Sequence, residues 1–299
     1  MKHKNQEKEN KGHREKNSKV GAYKALLIVP MILLFVSVGI LVYGYSQTGE
    51  WFERSIDLKG GTLITIKTPT LVDVTELEDA LSEKFGEVIV REIRSYSGQG
   101  ISIQLESDVD IDEAMKEFTD MGILIEDFSI QTIGPSLGES FWVQAQYAII
   151  IAFILMGIIV FIVFRTFVPS VAVMLAAVSD IIVTLAIMQA IGLPLSLASF
   201  AALLMLIGYS IDTDILLTTR LIKKTDKPLN ERMRGAFKTG ITMTVTTLVV
   251  LIALIVTTTS PVLFSIALVL MMGLTVDIIN TWMQNATLLR WHCERRGLL

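Results

Sequence analysis

A single cysteine, Cys293, stands among 299 residues. One thiol closes no intramolecular disulfide and builds no cysteine-ligated metal cluster, so neither kind of staple is available to this fold. Charge is scarce as well. Asp, Glu, Lys and Arg make up 19% of the chain, against 52% apolar residues and a mean hydropathy of +0.56. A water-soluble domain of this length is more charged and less apolar, so the excess must be buried somewhere other than an ordinary core. Two short stretches, 192–196 and 257–261, hold no basic residue at all. A small-x-small cleavage site is also missing after the first apolar run, Ala25 to Ser46. At about 22 residues that run exceeds a typical signal-peptide core, so it is expected to remain as a span.

What is present is a series of apolar runs. A bilayer core of about 30 Å takes about 20 apolar residues in helix. After 25–46, five more runs of that kind follow, at about 145–164, 168–191, 197–219, 236–258 and 263–289. Arg165 with Pro169, then Gly192-Leu193-Pro194, then the hydrophilic stretch Arg220 to Arg234, then Thr257 to Pro261 punctuate them. Basic residues collect at alternate ends: Arg165; Arg220, Lys223, Lys224, Lys227, Arg232 and Arg234; Arg290, Arg295 and Arg296. The positive-inside bias therefore places the tails 1–24 and 290–299 in the cytoplasm and residues 47–140 outside it, in a multi-pass protein of the cell membrane. The basic head (Lys2, Lys4, Lys8, Lys11, Arg14, Lys16, Lys19) adjoins a span, so it reads as a contact with anionic membrane lipid and a topology signal, with no nucleic-acid role.

The outside segment has a different texture. Thr62 to Lys67 alternates like a half-buried strand, and Val74 to Phe85 has helical spacing between Asp73 and Gly86 as start and stop. Val88–Ile93 and Ile101–Leu105 suggest a strand pair turning through Ser97 to Gly100, Ile111 to Met121 a second helix, and Leu124 to Ile133 a last strand. The order β-α-β-β-α-β is that of a ferredoxin-like split βαβ domain. The expected fold is a polytopic α-helical membrane protein of six spans carrying one small α+β domain.

Ionisable side chains at membrane depth are costly, so each is a functional candidate. Asp180 falls in the third span, Asp212 and Asp214 in the fourth, Lys238 at one end of the fifth, and Asp277 in the sixth. At 1.5 Å per residue, Asp212 lies about 12 Å in from Arg220 and Asp277 about 20 Å in from Arg290. Asp277, Asn280, Thr281 and Gln284 share one helical face; so do Lys238, Thr242 and Thr246, and Asp180 with Thr184. Such stripes must meet other helices or water, as interhelical hydrogen bonds or as a proton path. Asp212 and Asp214 lie about 200° apart around their helix, so only one can point at a given spot. Asp212 is the leading candidate for a proton carrier.

Several motifs together resemble the SecD/SecF protein-export family. Asp57-Leu58-Lys59-Gly60-Gly61 resembles its Asp-x-x-Gly-Gly signature, Gly134-Pro135-Ser136-Leu137-Gly138 its second marker, and Ile207 to Asp214 its fourth-span motif. The small outside domain suits the SecF branch, of the archaeal kind. By this resemblance the bacterial fourth-span carboxylate falls where Thr213 stands, with Asp212 at the SecD-like position, and Lys238 replaces a family arginine. The resemblance implies a non-enzymatic accessory subunit without cofactor or metal, pairing with SecD as half of a twelve-span unit related to the resistance-nodulation-division transporters. It further implies a SecYEG-type translocon and an unfolded translocating polypeptide as partners, and the proton gradient as the driving force.

Two other readings compete. A self-associating proton-coupled transporter of a small or lipidic solute would use the same scaffold, with a second copy completing the unit. An intramembrane aspartyl protease would need paired carboxyls, but Gly208 to Asp212 lacks the Gly-x-Gly-Asp frame.

Overall fold

The computed structural model describes residues 25–297 apart from 70–71, 87, 96–97, 107–108, 224–225 and 259. The basic head, Ser97 and Lys224 lie outside the described residues. In chain order, helix α1 (Ile28–Thr48) leads through a short turn, α2 (Ile56–Lys59), into strand β1 (Gly61–Thr68). Then come α3 (Val74–Phe85), β2 (Ile89–Ser95), β3 (Gly98–Leu105), α4 (Ile111–Asp120) and β4 (Asp127–Ile133). Five long helices complete the chain: α5 (Pro135–Phe164), α6 (Phe167–Ala190), α7 (Leu197–Ile222), α8 (Leu229–Thr257) and α9 (Pro261–Arg295). Among the described residues, α1 and α5 to α9 are the six helices long and apolar enough to cross a membrane.

The four strands form one sheet in the order β2-β3-β1-β4, every neighbouring pair antiparallel. This is the split βαβ arrangement. Its period-2 alternation sends Ile64, Ile66, Val90, Ile101, Ile103 and Leu105 to one face, where they bury against Leu77 and Leu81 of α3 and Ala114 and Phe118 of α4. The Asp73 side chain accepts a hydrogen bond from the Thr75 N–H at 2.9 Å, capping α3 where the sequence set its start. The hairpin is tighter than expected. Pairing runs to Ser95↔Gly98, so Gly98 to Gly100 belong to β3 and not to the turn.

Helix ends differ from the apolar runs where polar turns extend the helices. Helix α5 starts at Pro135, about ten residues before the run at 145, because proline loses nothing at a first helical position. The expected domain boundary at 140 thus falls inside α5, and the sheet ends at Ile133. Helix α8 starts at Leu229, not 236, and α9 continues past 289 to Arg295. Burial ranks the helices. Of their membrane-length windows, 61% is buried in α6 and 50% in α7, against 17% in α1, α5 and α8. Helices α6 and α7 are therefore the centre, with α9 packed on both.

The family-like glycine motifs meet at the joint between sheet and bundle. Gly60 and Gly61 have φ of +86° and +133°, values an L side chain rarely adopts. A Cβ on Gly60 would lie 2.6 Å from Pro135 Cα, and one on Gly138 2.5 Å from the Gly60 nitrogen. The two markers, 74 residues apart by the numbering of Gly60 and Gly134, are thus one backbone-to-backbone contact. Asp57 sits half-buried in α2 beside it.

A second seam lies close by. The Ser55 N–H donates to the Leu195 carbonyl at 2.9 Å and the Leu195 N–H to the Glu53 carbonyl at 2.8 Å, tying the α1–α2 linker to the α6–α7 loop. Arg54 pairs with Glu50 at 2.6 Å and Glu139 at 3.4 Å, and its guanidinium lies 5.4 Å above the Trp142 ring.

Candidate functional site

Three buried carboxyls from three spans converge in the bundle. Asp180 of α6 and Asp214 of α7 are 0% exposed, and Asp277 of α9 is 1% exposed. Ser210 of α7 donates its hydroxyl to Asp180 Oδ2 at 2.7 Å. The Asn280 amide donates to Asp180 Oδ1 at 2.8 Å and to Ser179 Oγ at 3.1 Å. The Asn285 amide donates to Asp214 Oδ1 at 2.6 Å. Asp277 is tied to the cluster through Thr281, one helical turn further along the same span. Thr184 turns its hydroxyl back to the Asp180 carbonyl at 2.6 Å, so it secures the helix and leaves the carboxyl alone.

Thr281 Oγ1 lies 3.1 Å from Asp214 Oδ1 and 3.0 Å from Asp277 Oδ1. A threonine hydroxyl carries one hydrogen but can also accept. It can donate fully to one carboxylate; the second contact becomes a hydrogen bond when that carboxyl carries a proton and donates it to the hydroxyl oxygen. The geometry is therefore one hydroxyl shared between a carboxyl of α7 and a carboxyl of α9.

The balance of donors and acceptors points the same way. Asp214 Oδ2, Asp277 Oδ2, Asn280 Oδ1, Gln284 Oε1 and Asn285 Oδ1 are all buried without a protein donor, and all are acceptors. Among the described residues, no lysine, arginine or histidine forms an ion pair with any of the three carboxyls.

A local distortion builds this site. Helix α9 is α-helical to Ile279, widens to a π-helical segment over Asn280–Asn285 and resumes as an α-helix at Ala286. In an unbroken α-helix Asn285 stands about 80° around from Asp277. The wider turn rotates less per residue and brings Asn285 toward the same line, where it reaches Asp214. Gly240 of α8 makes room for the bulge: a Cβ there would press on the Trp282 ring at 2.6 Å and the Thr213 methyl at 3.3 Å.

The structure separates the remaining candidates from this cluster. Asp212 is exposed on the outward side of α7, so Asp214, not the favoured Asp212, is the inward carboxyl of the pair. Thr213, at the position of the bacterial carboxylate, is buried with its hydroxyl turned to the Tyr209 carbonyl. Lys238 is exposed and touches none of the three acids. Its stripe does not line a polar path within this chain, because the Thr242 and Thr246 hydroxyls return to the carbonyls of Lys238 and Met243 in their own helix. Ser210 and Asn285 were missed by spacing. Ser210 lies inside the Ile207 to Asp214 motif as a small neutral residue, and Asn285 depends on the π turn.

The family described as "Protein export membrane protein SecD/SecF, C-terminal" matches residues 113–295. Over 278 residues the chain is 40% identical to the protein-export membrane protein SecF of Methanolacinia petrolearia, covering 92% of this chain and 95% of that one. It is 40% identical over 278 residues to SecF of Methanocaldococcus jannaschii, covering 90% and 95%. The crystal structure of SecDF from Thermus thermophilus, a translocon-associated membrane protein, shares the fold with a TM-score of 0.74 at 23% identity. That similarity covers 92% of this chain and spans 38% of the longer SecDF chain.

Proposed function

Because the chain belongs to the SecD/SecF protein-export family, a multi-pass membrane protein of that machinery, we propose that it is the SecF-type subunit that pairs with SecD and couples proton flow to protein export. The observation that carries the reading is the set of three buried carboxyls held by neutral partners only. Three uncompensated negative charges at this depth cost many kcal/mol, so the cluster is balanced by bound protons. Losing or gaining a proton rewrites the Thr281 bridge and so changes how α7 fits α9. Each proton crossing the membrane contributes about 2.3 kcal/mol per 100 mV. That is enough to bias a two-state movement by one to two orders of magnitude in population.

Pairing with SecD rests on the outward carboxylate. Asp212 sits on an exposed face at a depth where lipid offers no hydrogen bonds, so a neighbouring polypeptide is its natural partner. The alternating basic ends support a sheet domain outside the cytoplasm with both ends of the chain inside. There the domain stands beside the exit of a SecYEG-type translocon, in reach of the emerging unfolded polypeptide, and the two seams transmit the bundle's movement to it.

The test is export of a precursor protein into vesicles carrying this chain, SecD and the translocon, with and without an imposed proton gradient. Asp214→Asn and Asp277→Asn are expected to insert normally and to reduce gradient-dependent export by at least about tenfold, the factor that ~1.4 kcal/mol of lost bias gives. Undiminished gradient-dependent export from both variants would refute the role of the cluster.

A further inference from the structure

A second polar feature lies away from the carboxyls, at the elbow where α7 ends and α8 begins. A cavity of about 570 Å³ opens there, within the range of small-ligand sites. Its lining carries five cations and two carboxylates, Asp226 and Glu231, and contains no apolar side chain. Lys227 and Glu231 are paired at 2.7 Å. Arg220, Arg234 and Lys238 have no carboxylate partner among the described residues, yet all three border the same space.

The floor of the cavity is fixed. Arg232 is 5% exposed and donates from Nη1 to the Leu221 carbonyl, closing the end of α7 against the first turn of α8. Gly235 leaves room for Arg220: a Cβ there would stand 3.2 Å from Arg220 Nη1, so the guanidinium lies across bare backbone. No side chain caps the N-terminus of α8, which leaves its first N–H groups and the positive end of its dipole near the same cavity.

We propose that this cavity holds the phosphate of an anionic lipid headgroup. Two planar guanidinium groups and an ammonium converging on one space suit a phosphodiester, which an arginine fork binds through paired hydrogen bonds. Position selects the lipid over a free anion. Arg220 closes an apolar span and Lys238 opens another, so the cavity stands at the level where lipid phosphates are concentrated and where basic pockets between helices gather them. A bound headgroup bridges α7, which carries Asp214, to α8, and so ties the packing of the central helices to the charge of the surrounding leaflet.

Native mass spectrometry of the full-length chain, released from detergent after titration with lipid, tests this. Dioleoyl phosphatidylglycerol is expected to bind at least about tenfold more tightly than dioleoyl phosphatidylcholine, a difference of ~1.4 kcal/mol. The double substitution Arg220→Gln with Arg234→Gln should erase that preference, while Arg295→Gln, which lies off the cavity, should keep it. Arg220→Lys with Arg234→Lys keeps the charge but loses the paired hydrogen bonds, so the preference should fall only part of the way, which separates lost recognition from lost folding. Equal binding of the two lipids, or a preference that survives the glutamine pair, overturns the site. Protection from unfolding by millimolar inorganic phosphate equal to that given by phosphatidylglycerol overturns the lipid assignment.

Discussion

Replacing Gly60 by alanine attacks the joint between sheet and bundle with a single methyl group, and its cost follows from two separate terms. The backbone there has φ +86° and ψ 166°, a region almost reserved for glycine, which costs a non-glycine residue about 1–3 kcal/mol. The new Cβ would also lie 2.6 Å from Pro135 Cα and 2.8 Å from its nitrogen. Those are backbone atoms at the start of a long helix and cannot swing aside as a side-chain tip would, so overpacking adds about 1–3 kcal/mol. Together the substitution should destabilise the protein by about 3–5 kcal/mol and lower the thermal unfolding midpoint by on the order of 10 °C in detergent. Hydrogen exchange should quicken first in β1 and β4, which hold the two sides of the joint. Gly39→Ala is the matched control, since nothing lies within 4 Å of a Cβ there and the residue is in the middle of α1. If Gly60→Ala unfolds within 2 °C of the parent and exchange in β1 is unchanged, with ~2 °C the shift that less than 1 kcal/mol produces, the proposed backbone contact is wrong.

Asp73→Ala removes the cap that accepts from the Thr75 and Glu76 N–H groups and should cost about 1 kcal/mol, measured by denaturant unfolding of the full chain. Lys84 is held above its ordinary value of 10.5 by its hydrogen bond to Glu117, with the Glu117 and Glu113 charges adding to it. Its stabilising contribution is therefore complete below the unfolded-state value and fades as pH rises through the folded one. Lys84→Gln should flatten that alkaline decline in thermal midpoint and leave the neutral-to-acid limb unaltered.

Much of this arrangement is legible in the sequence, for identifiable reasons. Asp73 and Gly86 bracket a helix whose apolar spacing falls between them, so local and tertiary signals agree. The six apolar runs mark the spans because nothing else in such a sequence could bury them. What is lost is what depends on the third dimension. Periodicity shows that Asp212 and Asp214 face opposite ways but carries no sign for inward, which is set by how α7 rolls against α6 and α9. Asn285 is off the line of Asp277 until the π turn shifts it, and the room for that turn comes from Gly240 on another helix, against the Trp282 ring. The contact of Gly60 with Pro135 joins two motifs that each look like an ordinary bend.

The main-chain seam between residues 53–55 and Leu195 has a mechanical meaning. Leu195 sits in the loop between two helices, one delivering Asp180 and the other Ser210 and Asp214. Any swing of the sheet that carries this linker pulls on the loop, and the loads pass down both helices as through a yoke on two shafts. The shortest bond joining those shafts near the acids is the 2.7 Å one from Ser210 to Asp180, which would register the strain first. Force applied to the sheet thus arrives at the buried carboxyls, and the reverse path is equally direct.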